Sequence, residues 1–253
     1  MLELHHSGLS TCSKQVRLAL VEKGLPYVSR YIELQHHAHL SADYLKLNPW
    51  GVVPTLVHDG RPIVNSAAIA EYLEDVFPDP PLRPSDPGAR SRMRLWTWAA
   101  DMVHPALQNA TYDGVLKQKM TDLEPAEIER LLLRMPAPER RERMRRIVGG
   151  GFDRNEIEHA FERLGFVIGR AEDDLTDGPW LAGETYSLAD IGMLAIVHRV
   201  IELRPAMLDR DRFSRVNEWY DRLMARPAVR RVYAAGTEET PPRPKQHTIS
   251  GMA

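Results

Sequence analysis

The chain has 253 residues, of which 43% are hydrophobic and 27% charged, and its formal net charge is −2 at neutral pH. This balance gives no global electrostatic reason to expect a nucleic-acid or anionic-membrane partner, and a single cysteine excludes an intrachain disulfide. We find no basic-then-apolar leader and no run of the ~18 apolar residues that a membrane span needs, so we expect a cytoplasmic protein.

Hydrophobic periodicity in the first part of the chain predicts a βαβ unit followed by a ββα unit. The predicted elements are, in order, a strand at 2–5, a helix at 14–22, a strand at 27–32, a hairpin of strands at 55–57 and 62–64, and a helix at 66–77. Gly24 ends the first helix, and Asp59-Gly60 supplies the turn of the hairpin. This order is typical of a small α/β domain, which we place at residues 1–79.

A proline-rich polar stretch at 80–88 has the composition of an interdomain linker. No strand is predicted beyond it. Helices are expected at 90–107, 127–133, 138–147, 154–175, 188–201 and 212–224. We therefore expect an all-helical domain at 89–235 and a polar, disordered tail at 236–253.

Four residues that can hydrogen-bond a sulfur atom stand together where the first helix begins: Ser10, Thr11, Cys12 and Ser13. A helix start offers unpaired N–H groups and a partial positive charge, both of which stabilise an anion. A hydroxyl or thiol donor at this place would lower the pKa of a bound thiol. The alternative is a plain N-cap, which is the more frequent reason for Ser or Thr at a helix start.

Two further segments are suited to an extended peptide ligand. Pro54 precedes a strand and cannot donate to its ladder. If the Val53–Pro54 bond is cis, Val53 offers its own N–H and C=O to a peptide, whereas an ordinary trans proline has no such implication. Asn65-Ser66, at the start of the next helix, suits a carboxylate, although a plain N-cap is equally compatible with these residues.

Taken together and in this order, these segments resemble the glutathione transferase family. The similarity extends over roughly residues 1–233 and includes residues 10–20 (STCSKQVRLAL), 48–56 (NPWGVVPTL), 65–75 (NSAAIAEYLED), 186–191 (YSLADI) and 225–229 (ARPAV). The resemblance implies an α/β thioredoxin-like N-terminal domain plus an all-α helical-bundle C-terminal domain. It also implies glutathione as co-substrate, no metal, a hydrophobic co-substrate site on the helical domain, and a homodimer.

The resemblance assigns roles at the first helix. Ser10 matches the serine that activates the glutathione thiolate in serine-type members, with Thr11 and Cys12 beside it. Ser13 is an alternative for that role if the loop register differs. Cys12 is a second alternative, because a cysteine in this loop is the reactive group of thiol-transferring relatives.

The resemblance also assigns the rest of the glutathione site. Val53, next to Val52 and Pro54, matches the residue that pairs with the glutathione backbone, and Ser66 matches the residue that holds the γ-glutamyl carboxylate. Asn65 stands where the family commonly has Glu or Gln, and its shorter, neutral side chain weakens the expected contact to the γ-glutamyl amine.

The histidines at positions 36, 37 and 39 form a separate cluster. His37 and His39 lie where the family places a side chain near the glycine end of glutathione. As a group, the three are expected to form a solvated loop and not a metal site, since no distant ligand accompanies them.

Residues 120–152, together with 71–84 and 94–102, resemble bacterial glutathione-dependent β-etherases that cleave aryl ethers from lignin. In such enzymes the thiolate displaces a phenol from the carbon next to a ketone, which requires an activated sulfur and a pocket that excludes water. Candidate pocket residues are Trp98, Met102, His104 and Tyr112, with the protein core or a dimer interface as the alternative for the tryptophan and methionine.

Two rival functions remain open. The serine motif also resembles isomerases of the maleylacetoacetate type, for which Arg17 or Arg92 would supply a cation for the substrate carboxylates. A non-catalytic binding module with the same fold is the second rival. The basic run 140–146 is expected to be a solvated helix face, because Glu139 and Glu142 interrupt it.

Overall fold

The structure is a computed structural model that describes residues 1–116 and 124–234, so the predicted tail at 236–253 lies outside the described residues. The N-terminal part is built on a four-stranded sheet in the order β2-β1-β3-β4. The strands are β1 (Leu2–His6), β2 (Val28–Tyr31), β3 (Thr55–His58) and β4 (Arg61–Val64). β1 is parallel to β2 and antiparallel to β3, which pairs antiparallel with β4.

Three helices accompany this sheet: α1 (Thr11–Glu22), α2 (Ala42–Leu47) and α3 (Ser66–Val76). The predicted α/β architecture is confirmed. α2 was not predicted, because six residues are too few to show a helical period. Ser41 caps this short helix by accepting a hydrogen bond of 3.2 Å from the Tyr44 amide.

The rest of the described chain is helical, as predicted. The helices are α4 (Pro87–Thr111), α5 (Pro125–Arg134), α6 (Pro138–Val148), α7 (Arg154–Asp174), α8 (Leu188–Leu203), α9 (Ser214–Met224) and α10 (Pro227–Tyr233). α4 starts inside the stretch predicted as linker, because Asp86 caps it and Pro87 occupies its first turn. α10 was missed, since its few residues were interpreted only as a closing segment.

The core is centred on α8, whose side chains are buried on nearly every side. It packs against α4 and against α1 of the N-terminal part, and α4 packs in turn against α7. A helix that is apolar all round belongs in the middle of a bundle. Among residues 1–116 and 124–234, none of the helices combines the length and apolar character required to cross a bilayer.

The segment between the two domains is anchored at several points. The buried Lys23 ammonium pairs with Glu74 and donates to the Pro80 carbonyl at 2.8 Å, while Glu74 accepts from the Leu82 amide at 3.0 Å. The Leu82 carbonyl accepts from the Leu188 amide at 2.9 Å, where α8 begins. The connection is thus held at both ends, which fixes how groups from the two domains meet.

Candidate active site

The start of α1 holds the serines in two different environments. Ser10 is the N-cap, and its Oγ accepts a hydrogen bond of 3.2 Å from the Ser13 amide. Because a hydroxyl can accept and donate at once, the Ser10 proton is still available to a sulfur atom. Ser13 is fully buried, and its Oγ accepts from the Ser7 amide at 3.3 Å. The Ser13 hydroxyl therefore braces the preceding loop and does not face the open side of the helix.

Thr11 and Cys12 face the second domain. The Nε2 atom of His104, on α4, lies 3.2 Å from Thr11 Oγ1 and 3.3 Å from Cys12 Sγ. Burial raises the pKa of the Cys12 thiol to about 11, although a hydrogen bond from Ser66 acts in the opposite direction. Cys12 is consequently a protonated thiol at neutral pH, which makes it a poor nucleophile.

His104 stands among charges of both signs. Its burial lowers the pKa of the imidazole, the Asp101 carboxylate three residues earlier raises it, and the Arg143 guanidinium of α6 lowers it. The imidazole is therefore neutral at physiological pH. It is the only one of the four candidate pocket residues that the structure brings to the start of α1.

Val53 and Pro54 lie at the start of β3, and the bond between them is cis, so the trans alternative is wrong. The preceding carbonyl, that of Val52, is already occupied: it accepts from the Tyr44 hydroxyl at 2.6 Å and from the side-chain Nδ2 of Asn48 at 2.8 Å. These two contacts hold the loop in place while Val53 remains half-buried at its surface.

Asn65 and Ser66 open α3 near the same place. Asn65 has a left-handed φ of 73°, and its Oδ1 caps the helix by accepting from the amides of Ala67 and Ala68 at 3.0 Å each. Partial burial raises the pKa of the Asp101 carboxyl, and a hydrogen bond with Asn65 opposes that shift. The Asn65 side chain is thus committed to two protein partners, and a carboxylate from α4 stands beside it.

The histidine cluster is not a solvated loop as a whole. His36 is exposed, but His39 is only 8% exposed, and burial together with Arg140 lowers its pKa to about 3. The prediction is wrong for His39, whose neighbour Leu40 packs with Leu131, Leu132 and Met135 in a small buried cluster. Within the described residues, no group of three or more His, Cys, Asp or Glu side chains is arranged to hold a metal ion.

The basic run of α6 was also predicted to be solvated, and two of its members are not. Arg140 donates to the Gly51 carbonyl at 2.6 Å and to the Trp50 carbonyl at 3.1 Å, and Arg143 donates to Gln108 of α4. Their spacing places both on one side of α6, which packs inward. Arg143 and the remaining arginines of the run line a cavity of about 890 Å³ between α4 and α6.

The other candidate pocket residues lie elsewhere. Trp98 and Met102 are 59% and 36% exposed, and Met102 is two positions from His104, so the two residues point to nearly opposite sides of α4. Tyr112 is 3% exposed, donates to the Ile147 carbonyl at 3.1 Å and packs edge-on against Phe152. It belongs to the core and is closed to a ligand.

The two cations suggested for an isomerase are not placed for that role. Arg92 pairs with Asp177 on the surface, and Arg17 is buried on the inner side of α1. The residues that sequence reasoning missed are Arg140 and Arg143. The only sequence signal for them is their shared helical face, and it does not say which structure that face contacts.

Comparison with known proteins gives a consistent result. The family model described as glutathione S-transferase, N-terminal domain, matches residues 9–76, and the model for the C-terminal domain matches residues 124–227. This chain belongs to the glutathione S-transferase family. It is a glutathione transferase, with glutathione as co-substrate.

Three similar proteins are informative. Protein LigF of a Sphingobium strain is 32% identical, and the match covers 94% of this chain and 95% of LigF. The solved structure of that β-etherase covers 92% of this chain and 98% of its own, with a TM-score of 0.86. FtsZ-localized protein A of Caulobacter vibrioides is 31% identical over 91% of this chain and 90% of its own. Maleylacetoacetate isomerase of Pseudomonas aeruginosa is 30% identical over 95% of this chain and 99% of its own.

Proposed function

We propose that this transferase cleaves β-aryl ethers, using the glutathione thiolate to displace a phenol from the carbon next to a ketone. The observation that carries the proposal is the likeness to the β-etherase LigF over nearly the whole of both chains, with a TM-score of 0.86. Because burial raises the pKa of the Cys12 thiol to about 11, Cys12 is a poor nucleophile, which favours Ser10 as the donor to the glutathione thiolate. The substrate is a hydrophobic, aromatic small molecule.

In this proposal residues 1–79 form the glutathione-binding domain, 80–88 the linker, and 89–235 the co-substrate domain. Val53 pairs with the glutathione backbone, Ser66 holds the γ-glutamyl carboxylate, and Ser10 donates to the thiolate. Because the Asn65 side chain is committed to capping α3, the Asp101 carboxylate beside it takes the γ-glutamyl ammonium. His37, which is half-buried, is nearer to solvent than His39 at the glycine end.

The direct test is glutathione-dependent release of a phenol from a model β-aryl ether ketone. Release together with a glutathione adduct of the other fragment supports ether cleavage, provided that a reaction without glutathione releases nothing. Conjugation of a simple halogenated arene without any phenol release would replace the proposal by a generic conjugating transferase.

Ser10→Ala is expected to lower kcat/KM by about 10²-fold or more, as removal of one donor to a developing anion typically does. The variant also loses the N-cap, so a matched control is needed. Ser41→Ala removes the corresponding cap of α2, which has the same 3.2 Å contact to an amide three residues on. We expect the control to stay within about tenfold of the wild type, since a cap contributes only ~1 kcal/mol.

The same measurement on Cys12→Ala distinguishes Ser10 from Cys12 as the group that acts on the thiolate. If Cys12→Ala lost as much activity as expected for Ser10→Ala, while Ser10→Ala lost none, the cysteine would be the reactive group. The pKa of bound glutathione, followed by thiolate absorbance, checks the same point, because loss of the donor should raise it.

An isomerase of the maleylacetoacetate type is the second candidate. It is favoured by the half-buried Arg143 beside His104, since a guanidinium at this place suits a substrate carboxylate. Isomerisation regenerates glutathione, whereas ether cleavage consumes it. Measuring free thiol during turnover therefore decides between the two candidates.

A non-catalytic binding module is the third candidate. The name of FtsZ-localized protein A, a relative that is 31% identical, states a location and no reaction. We place it last, because Ser10, the cis Val53–Pro54 bond and Ser66 are all present. A module should bind glutathione without lowering its thiol pKa.

We further propose a cytoplasmic homodimer. Leu95, Trp98 and Phe166 are 54%, 59% and 67% exposed on α4 and α7, two helices that pack against each other, and a second copy of the chain would cover them in the dimer. Light scattering on the wild type and on Trp98→Glu is the test. A wild-type monomer would contradict the proposal.

A further inference from the structure

His104 makes contacts that glutathione binding does not require. Its Nε2 atom lies within 3.3 Å of both Thr11 Oγ1 and Cys12 Sγ, so a single ring nitrogen from the helical domain faces the helix start at which the thiolate is expected. His104 as a residue is half-buried. A hydrogen bond that only joined the domains would need one of these partners, not both.

The charged and titratable groups around this ring come from three helices. Asp101 lies on α4 itself, Arg143 comes from α6, and Cys12 comes from α1. The cation and the carboxylate act in opposite directions on the imidazole, and burial favours its neutral form. A neutral ring can accept a proton, and a neighbouring carboxylate stabilises the imidazolium once it has formed.

We propose that His104 carries the proton of the reaction from the glutathione thiol to the departing phenol oxygen. This inference rests on the proposed ether cleavage. The imidazole takes the thiol proton as the sulfur becomes a thiolate. The sulfur then forms a bond to carbon while the carbon–oxygen bond breaks, and its electron pair leaves with the oxygen. The imidazolium gives that oxygen the proton, which restores the neutral ring with no change of oxidation state.

The direction of transfer agrees with ordinary acidities. A phenol has a pKa of about 10 and an unperturbed imidazolium a pKa of about 6.5, so protonation of the phenolate by the imidazolium is thermodynamically favourable. General acid–base groups typically contribute about 10²–10⁴-fold to the rate. The contribution should be largest when the leaving phenol is a weak acid.

The decisive experiment compares wild type and His104→Gln on a series of β-aryl ether ketones whose leaving phenols range from nitrophenol to methoxyphenol. Glutamine keeps a hydrogen-bonding side chain but cannot carry the proton. We expect kcat/KM of the variant to fall about 10²-fold or more with methoxyphenol and much less with nitrophenol, whose anion leaves unaided. An equal loss across the series, or no loss, overturns the proposal.

The pH profile gives a second readout that a purely structural role would not move. Activity should fall on the acid side as the free imidazole becomes protonated. Arg143→Met removes a cation that lowers the His104 pKa, so this acid limb should move to higher pH. His104→Gln should lose the contribution of the imidazole to this limb and keep only that of the glutathione thiol. A limb at unchanged pH in both variants overturns the proposal.

Failure of this inference can be told from failure of the proposed function. Phenol release by the wild type with an unchanged leaving-group dependence in His104→Gln leaves ether cleavage standing and removes only the role of His104. No release by the wild type from any ether of the series overturns both. Glutathione affinity of the variant, measured by titration, checks that its site is intact.

Discussion

Asp190→Ala is expected to lower the free energy of unfolding by about 3 kcal/mol or more, because it leaves several buried donors without a partner. The carboxylate is fully buried at the start of α8. Oδ1 accepts from the Leu181 amide at 3.0 Å and the Trp219 indole at 2.8 Å, and Oδ2 accepts from the Ser187 amide at 2.9 Å and hydroxyl at 3.3 Å. Urea unfolding followed by circular dichroism measures the loss.

Asp190→Asn is the matched control, since it keeps the shape and one acceptor oxygen and should lose less stability than alanine. It also tests the charge. Burial raises the pKa of Asp190 to about 6, so the folded protein holds this proton more tightly than the unfolded chain, where the pKa is near ~3.9. The group therefore adds stability as the pH falls through 6 towards 4. The same pH dependence in the asparagine variant would contradict this assignment.

Lys23→Met is expected to cost about 3–5 kcal/mol of unfolding free energy, because it leaves a buried carboxylate without its counter-ion. The side chains of Lys23 and Glu74 are 0% and 3% exposed, and they pair with each other in the interior. The Lys23 ammonium also donates to the Pro80 carbonyl at 2.8 Å. Thermal or chemical unfolding of the purified variant gives the measurement.

The double variant Lys23→Met/Glu74→Met should recover most of this loss. Replacing both members of a buried ion pair by apolar side chains of similar size is often neutral. Here the Leu82 amide and the Pro80 carbonyl lose their partners, so recovery to within about 2 kcal/mol of the wild type is expected. If the double variant instead lost as much unfolding free energy as the two single variants together, the pair would not be a coupled unit.

Asp190 and the Lys23–Glu74 pair are connected by hydrogen bonds through the segment between the two domains. The Lys23–Glu74 pair holds residues 80 and 82, the Leu82 carbonyl binds the Leu188 amide, and Ser187 beside it is capped by Asp190. Arg226 adds a bidentate contact of 2.8 Å to Glu22 at the end of α1. The relative position of the domains, and with it the approach of His104 to α1, depends on this chain of contacts.

The α/β and all-helical domains could both be predicted from the sequence, because their signals are local. Periodicity, Gly24 after α1, and Pro78 after α3 mark the elements without reference to the rest of the fold. α2 and α10 were missed, since the packing around them stabilises such short helices more than their own pattern does. The segments around Ser10, Val53 and Ser66 were proposed as the glutathione site for the same local reason.

The failures share one cause, which is that a helix pattern shows which residues lie on the same side but not what that side contacts. Arg140 was expected in solvent, whereas it donates to the Gly51 carbonyl. His39 was placed in a solvated loop and is buried, next to Leu40 in a small apolar cluster with residues from the helical domain.

By itself, the sequence determined the order of the elements, the family to which they point and the loops that we propose to bind glutathione, since each of these depends on residues close together in the chain. Only the tertiary structure decided which groups surround the sulfur position. Ser13 turns inward to Ser7, and His104 reaches Cys12 across 92 residues of chain. Such contacts depend on how the two domains pack, because the burial of α8 between α1 and α4 sets their distance.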